Sequence, residues 1–213
     1  MAKKRNLSLQ KIIESSIALI NEQGLVALTM RRLAKKLGVQ ASAVYWHVKN
    51  KEELLQLLSV NISKKISYPN EKLDWKAKLI HLAKQSRDAM SSIRNGPEIM
   101  MQTIPSDPYR LSLIEYMLKI LVEEGFTPLK SLEISNLLNN YTILFTMDEF
   151  IQIEQQSNPI HHEYIQEFLS DLSEKHPYFN QAIKSQIEKS QSDEIFLSGL
   201  MAILDGYELA KDS

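Results

Sequence analysis

The stretch from Thr29 to Lys51, TMRRLAKKLGVQASAVYWHVKNK, constrains this chain more than any other, because its apolar spacing and its punctuation both specify one local architecture. Thr29 is placed to cap a helix, and Met30, Leu33, Ala34 and Leu37 follow at i, i+3, i+4 and i+7, one buried stripe. Gly38, just past the last apolar position, supplies a left-handed stop. Val39-Gln40-Ala41 then leads directly into a second short segment, Ser42 to Val48. Two short helices joined by so tight a turn, on a basic and aromatic surface, read as a helix-turn-helix that meets DNA. Small side chains at Ala41, Ser42 and Ala43 let the second helix approach base edges. Tyr45, Trp46 and His47 carry groups that bond phosphate oxygens or stack on sugars.

Charge is divided along the chain in the same sense. Residues 1–51 hold ten Lys or Arg against two acids, whereas the remaining residues hold fifteen against twenty-four, so the formal net charge of −1 conceals a basic head on an acidic body. A protein that touches phosphates at one end only needs that asymmetry. Lys35, Lys36 and the Lys3-Lys4-Arg5 arm add diffuse attraction at most, since surface lysines are commonly just solvated.

Beyond the head the chain reads as successive helices, and the fold expected is all-α. Six glycines and seven prolines in 213 residues, with abundant Leu, Ile, Lys, Glu, Gln and Ser, favour helix over sheet. Ser8 precedes a first helix with Leu9, Ile12, Ile13, Ser16, Ile17 and Ile20 on its stripe, ending near Gly24. Asn50 and Glu53 suit the start of a fourth, with Leu54, Leu55, Leu57, Leu58 and Ile62 on its apolar face, running to Pro69. Further helices are expected over 73–94, for a turn or two over 98–102, from Asp107-Pro108 to Gly125, from Thr127-Pro128 to about Gln156, and over 195–210 after Ser192-Asp193-Glu194. The polar stretch 160–189 is expected to combine a loop with one or two modest helices. The resulting division is a head over 1–50, a connecting helix over 51–68 and a helical body over 69–213.

There is no cysteine, hence no disulfide and no thiolate site, and no apolar run approaches the length of a membrane span. A cytoplasmic protein that engages no membrane is the expectation. An enzyme is not expected, because the chain lacks a Ser-His-Asp elbow, a phosphate-cradling glycine loop and a paired-His helix. His161 and His162 beside Glu163 point to different faces and lack the i, i+4 spacing of a helical metal pair, and His81 stands alone, so neither a metal site nor a cofactor is expected.

The strings LTMRRLAKKLGV and YWHVKNKEELL, with a capping Thr, an LA-x-x-LGV turn, an aromatic pair, a His and a Lys opening the fourth helix, resemble the helix-turn-helix of the tetracycline-repressor (TetR) family of bacterial transcription factors. The resemblance is dense over residues 8–58, patchier over 94–126 and close again at the last helix, FLSGLMAILDGYE. It implies base-reading positions at Met30, Arg31, Ala41, Ser42 and Ala43 and phosphate or sugar contacts from Thr29, Tyr45, Trp46, His47 and Lys51. Arg31 can take both acceptors of a guanine edge, a contact worth about 1–3 kcal/mol of discrimination. Ala41 offers no hydrogen bond where tetracycline-binding members carry a Gln, so a different operator is expected. The last helix, apolar on more than one face, implies a four-helix interface in a two-fold dimer, with two heads about 34–36 Å apart on successive major grooves of a palindromic operator.

The resemblance also implies a small-molecule site in the body. The tetracycline-binding members hold a magnesium–drug chelate. The corresponding positions here read Met100 for a His, Leu82 and Ser86 for an Asn and a Phe, and Ser67 near another His, leaving Thr103 and Asp148. A thioether is a poor magnesium ligand, so tetracycline sensing is not expected. The candidates for a largely apolar effector pocket are Met90, Met100, Tyr116, Ile134, Leu138 and Tyr141, with Ser67, Leu82, Ser86, Thr103, Asn139 and Asp148. The function expected is a homodimeric repressor released from its operator by a small molecule. The alternatives are an effector-independent, corepressor-dependent or activating regulator of the same family.

Overall fold

The computed structural model describes residues 7–156, 176–188 and 192–209. Within them the chain is built from helices without strands, and polar side chains set where most of the helices begin. Ser8 Oγ accepts from Lys11 N to start α1 (Leu9–Gln23), and Thr29 Oγ1 accepts from Arg32 N to start α2 (Met30–Leu37). Gly38 closes α2 in the left-handed conformation, φ 68° and ψ 34°, which costs a glycine nothing. The regular part of α3 is only Ala41–Tyr45, shorter than the expected 42–48, because His47 N and Val48 N both bond Val44 O in a tightening turn. Val44 and Val48 are fully buried and pin that turn to the head's core.

Asn50 Oδ1 accepts from Glu53 N at 2.8 Å, and Glu53 reaches back to Lys49 N at 2.6 Å, a reciprocal cap that fixes the start of α4 (Lys51–Ser63). α4 ends at Ser63 and does not run on to Pro69. Lys64 and Lys65 close its last turn, and Ile66 then packs against the cores of both head and body. Asp74 caps α5 (Trp75–Ser91), three residues short of the expected end at 94. The short α6 (Gly96–Met101) starts earlier than expected, since Asn95 in a left-handed conformation (φ 59°) turns the chain and Pro97 is tolerated in the first turn. Asp107 caps α7 (Pro108–Glu123), and Pro128 opens the long α8 (Pro128–Gln156). α9 (Pro177–Glu188) lies within the stretch expected to be partly helical, the rest of which is outside the described residues. α10 (Ser192–Leu209) is already helical at Ser192, ahead of the expected 195.

Two cores result. The head's core gathers Ile12, Ile20, Leu28, Leu33, Val44 and Val48 with Leu54, Leu58 and Ile62 of α4, and it continues without a break into Ala89, Met90, Ile93 and Ile99. Each such side chain contributes about 1.5–3 kcal/mol on burial. The body's core is formed by Leu79 and Leu82 of α5, Leu121 of α7, Ile134 and Leu138 of α8, and Phe196, Leu200 and Leu204 of α10. Arg87 fastens α5 to both α8 and α10: it pairs with Glu149, donates to Asp193 at 2.6 Å, and lies over the rings of Phe145 and Phe196. Gly199 permits the close crossing of α8 and α10, since a Cβ there would sit 2.1 Å from Tyr141 Oη. No atom lies within 4 Å of the corresponding point at Gly206.

Candidate nucleic-acid interface and body cavity

On the head, the buried stripe of α2 decides which side chains face outward. Leu33 and Ala34 point into the core together with Met30, which is only 8% exposed, so Met30 cannot present its side chain to a base edge. This corrects the expectation that placed it at the DNA. Arg31 and Arg32, one and two positions on, lie on the solvent side. Thr29 Oγ1 is engaged as the α2 cap. Ser42 is exposed at the start of α3, with Ala41 and Ala43 half-buried beside it. Tyr45 is half-exposed and Trp46 is 82% exposed, an unusual position for so large an apolar surface without a ligand to cover it. The Trp46 and His47 rings meet edge to face, centroids 4.8 Å apart, which orients both. Lys51 stands in the first turn of α4, half-buried. Lys36 pairs with Glu22 at 2.7 Å and is therefore partly neutralised, while Lys3, Lys4 and Arg5 lie outside the described residues.

In the body a cavity of about 130 Å³ opens among α4, α5, α6, α7 and α8. Six of the candidate pocket residues line it: Leu82, Ser86, Met90, Met100, Leu138 and Asn139. The other six do not. Thr103 lies just behind its wall, where its hydroxyl accepts from Arg110 at 2.9 Å. Ser67 donates to Gln85 at 2.7 Å, and Ile134 is sealed in the body's core. Tyr141 stacks on Phe196, centroids 5.6 Å apart, and Asp148 is exposed on α8. Tyr116 lies outside the lining, donating to Glu71 at 2.9 Å and packing edge-on against Tyr68. Burial and that carboxylate push the Tyr116 hydroxyl up to about 12.

Sequence reasoning missed several of the wall residues. Ile62 and Ser63 come from the last turn of α4, so the connecting helix forms part of the cavity. Leu113 and Met117 extend its apolar lining, and Ser135 contributes a buried hydroxyl with no hydrogen-bond partner among the described residues. Arg110 adds the cavity's cation. Its place in the first turn of α7 is a usable signal, because a positive charge there opposes the helix dipole.

Among the described residues no imidazole and no carboxylate lines this space, although hydroxyl and amide oxygens do. Met100, Leu82 and Ser86 stand where the donors for a metal-chelated drug would be needed, and among the described residues no group of three or more His, Asp or Glu could hold a metal ion. His161, His162 and Glu163 lie outside the described residues. No described helix is long and apolar enough to cross a membrane.

Head and body are also joined directly by hydrogen bonds. Asn95 Oδ1 accepts from Leu25 N at 3.0 Å, and Asn21 Oδ1 accepts from Arg94 N at 2.9 Å, so the α5–α6 turn is hydrogen-bonded to the end of α1 and to the turn after it.

Comparison with known proteins agrees with this layout. Residues 12–58 match the model for bacterial regulatory proteins of the tetR family, and residues 68–210 match that for the tetracyclin repressor-like C-terminal domain. The class G tetracycline repressor protein of Vibrio anguillarum is 30% identical over 201 residues, covering 92% of this chain and 91% of that protein. The crystal structure of TetR from Acinetobacter baumannii AYE is 26% identical, with a TM-score of 0.74 over 96% of this chain and 98% of that one. ActR of Streptomyces coelicolor in complex with actinorhodin, 21% identical, shares the fold with a TM-score of 0.82 over 97% and 99% of the two chains.

Proposed function

Because the chain belongs to the tetracycline-repressor family of bacterial regulatory proteins, a family of DNA-binding transcription factors and not of enzymes, we propose that it is a homodimeric, cytoplasmic repressor that leaves a palindromic operator when a small molecule enters the body cavity. The observation that carries this reading is the position of α4. Its first residue, Lys51, stands beside the helix-turn-helix, and its last turn supplies Ile62 and Ser63 to the cavity wall about 18 Å away. One rigid helix thus spans from the DNA surface to the ligand site. A ligand that fits the cavity better when α4 tilts shifts the heads by no more than that differential affinity, whatever its absolute affinity.

In this reading Arg31, Ser42 and the backbone around Ala41 and Ala43 read bases, while Thr29, Tyr45, Trp46, His47 and Lys51 hold phosphate and sugar. The functional division remains head 1–50, connecting segment 51–68 and body 69–213. Exposed Leu137, Leu144 and Ile151 on α8 and Ile195 and Met201 on α10 supply an apolar face for the partner subunit. In this reading the ligand is not of the tetracycline class, because the described cavity wall carries Met100 and no imidazole to hold a chelated metal.

Selection of bound duplexes from a random DNA library by the purified protein tests the reading. A palindromic consensus with affinity falling steeply with salt is the expected result. Enrichment of no sequence, with only salt-sensitive binding to every duplex, would overturn it.

A further inference from the structure

The two arginines that fasten the body together are treated oppositely by their surroundings. Arg87 sits between the Glu149 and Asp193 carboxylates, which hold its guanidinium firmly charged. Arg110, on the cavity wall, has no carboxylate within ion-pair distance among the described residues. Its two hydrogen bonds both go to Thr103, from Nη1 to the hydroxyl at 2.9 Å and from Nη2 to the carbonyl at 3.4 Å. Asp107, one turn earlier, is the acid that acts on it. That carboxylate caps Tyr109 N and Arg110 N through Oδ1 and leaves its buried Oδ2 without a partner among the described residues; burial outweighs its attraction, so the guanidinium is pushed down from its ordinary value. A guanidinium offers five donors. Here most are unspent, in a space where Met90, Met100, Leu113 and Met117 form an apolar wall beside polar side chains such as Ser86 and Asn139. In the same lining the Ser135 hydroxyl, on a residue 5% exposed, also has no partner among the described residues.

We propose that the cavity takes an anion: a small amphipathic acid whose carboxylate is held by the Arg110 fork and whose apolar body lies against the methionines. The identification of this cavity as the effector site is the reading on which this rests. A partly desolvated cation with no carboxylate in ion-pair contact is costly alone and favourable once one meets it, so the free energy of binding is concentrated at the charged end. The methionine side chains, flexible and polarizable, set little on the shape of the apolar end. The Ser135 hydroxyl supplies a second contact for a polar substituent or for the acid itself. Because Thr103 terminates the segment after α6 and shares the guanidinium, an arriving carboxylate competes with the bond that ties this segment to α7.

The test uses the full chain and matched probes: straight-chain carboxylates from hexanoate to dodecanoate, each against its primary amide, with binding read by calorimetry. At least one acid is expected to bind about tenfold or more tightly than its amide. Arg110→Met is expected to abolish that preference, and Arg110→Lys to keep it with weaker binding. Amides that bind as well as acids, a preference that survives Arg110→Met in a folded variant or fails in a folded Arg110→Lys, or no binding by any acid each overturn the anion site. Release of a selected operator duplex, followed in parallel by fluorescence anisotropy, separates the two readings. Amides that release DNA where acids do not leave effector release standing and remove the anion. Acids that bind through Arg110 without releasing DNA do the reverse.

Discussion

Replacing Asn95 tests one of the hydrogen bonds between body and head. The residue does three things at once: its backbone occupies the left-handed region at φ 59°, its Oδ1 accepts from Leu25 N at 3.0 Å, and its Nδ2 donates to Glu98 at 2.8 Å. Asn95→Gly keeps the backbone conformation free of strain and removes only the side chain. It leaves the Leu25 N–H, on a residue 8% exposed, without its acceptor, a loss of about 1–3 kcal/mol, and gives the unfolded chain extra freedom worth about 0.5–1 kcal/mol. The sum is about 1.5–4 kcal/mol, or roughly 3–16 °C in Tm for a chain of this size. Asn95→Ala removes the same bonds, is spared the glycine's extra unfolded-state freedom, and carries about 1–2 kcal/mol for a Cβ in the left-handed region, so it is expected to lie up to about 1 kcal/mol below Asn95→Gly. Urea unfolding followed through Trp75, whose ring packs edge-on to Phe126, should therefore rank the wild type above Asn95→Gly and that above Asn95→Ala. An Asn95→Gly protein within about 0.5 kcal/mol of the wild type would refute the hydrogen-bonded contact. An Asn95→Ala protein at least as stable as Asn95→Gly would refute the backbone conformation.

Further outcomes follow from other parts of the molecule. Trp46→Ala, at a ring 82% exposed, should weaken operator binding at least tenfold while leaving Tm within about 1 °C, measured by anisotropy and thermal melting side by side. Gly96→Ala should destabilise by several kcal/mol or prevent folding, since a Cβ there would lie 2.0 Å from the Met90 carbonyl oxygen, and circular dichroism melts read it directly. Leu137→Glu with Leu144→Glu should yield a folded monomer by sedimentation, because charges on an exposed leucine face block its burial against a partner. Tyr116 has its hydroxyl pushed up to about 12 from an ordinary value near 10, so the folded state holds that proton longer than the unfolded. Its contribution is fully present below about pH 10 and is lost as pH rises towards 12. The stability difference between wild type and Tyr116→Phe should shrink across that window.

How legible each part is in the sequence depends on whether its cause is local. Ser8, Thr29, Asn50, Asp74 and Asp107 all cap helices, and Gly38 stops one, because a cap is a bond between residues two or three apart. The sequence places the end of α4 at Pro69 because nothing in Ser63-Lys64-Lys65 breaks a helix. The helix stops there because Ile66 turns away to serve two cores at once, a tertiary demand. Met30 and Arg31 are neighbours on α2, yet only the packing of the head separates the buried one from the exposed one. In the body, methionine and leucine positions look alike in sequence. Met90 and Met100 line the cavity while Ile134 fills the core beside it, a distinction set by how five helices leave a gap. Arg110 carries a local sign, a cation in the first turn of α7. Its meaning depends on Thr103 and on the lack of a facing carboxylate among the described residues, and neither is visible along the chain.

Two copies of this helix-turn-helix reading one operator together is the central claim, and the spacing of the half-sites tests it most directly. Affinity for the selected palindrome should be measured against the same duplex with about 5 base pairs inserted between its half-sites, roughly half a helical turn, which places the second half-site on the far face of the DNA. A loss of at least about a hundredfold is predicted, because only one head of the dimer can then engage its half-site. Equal affinity for the original and the inserted duplex would contradict the claim, since heads that act separately do not sense the spacing.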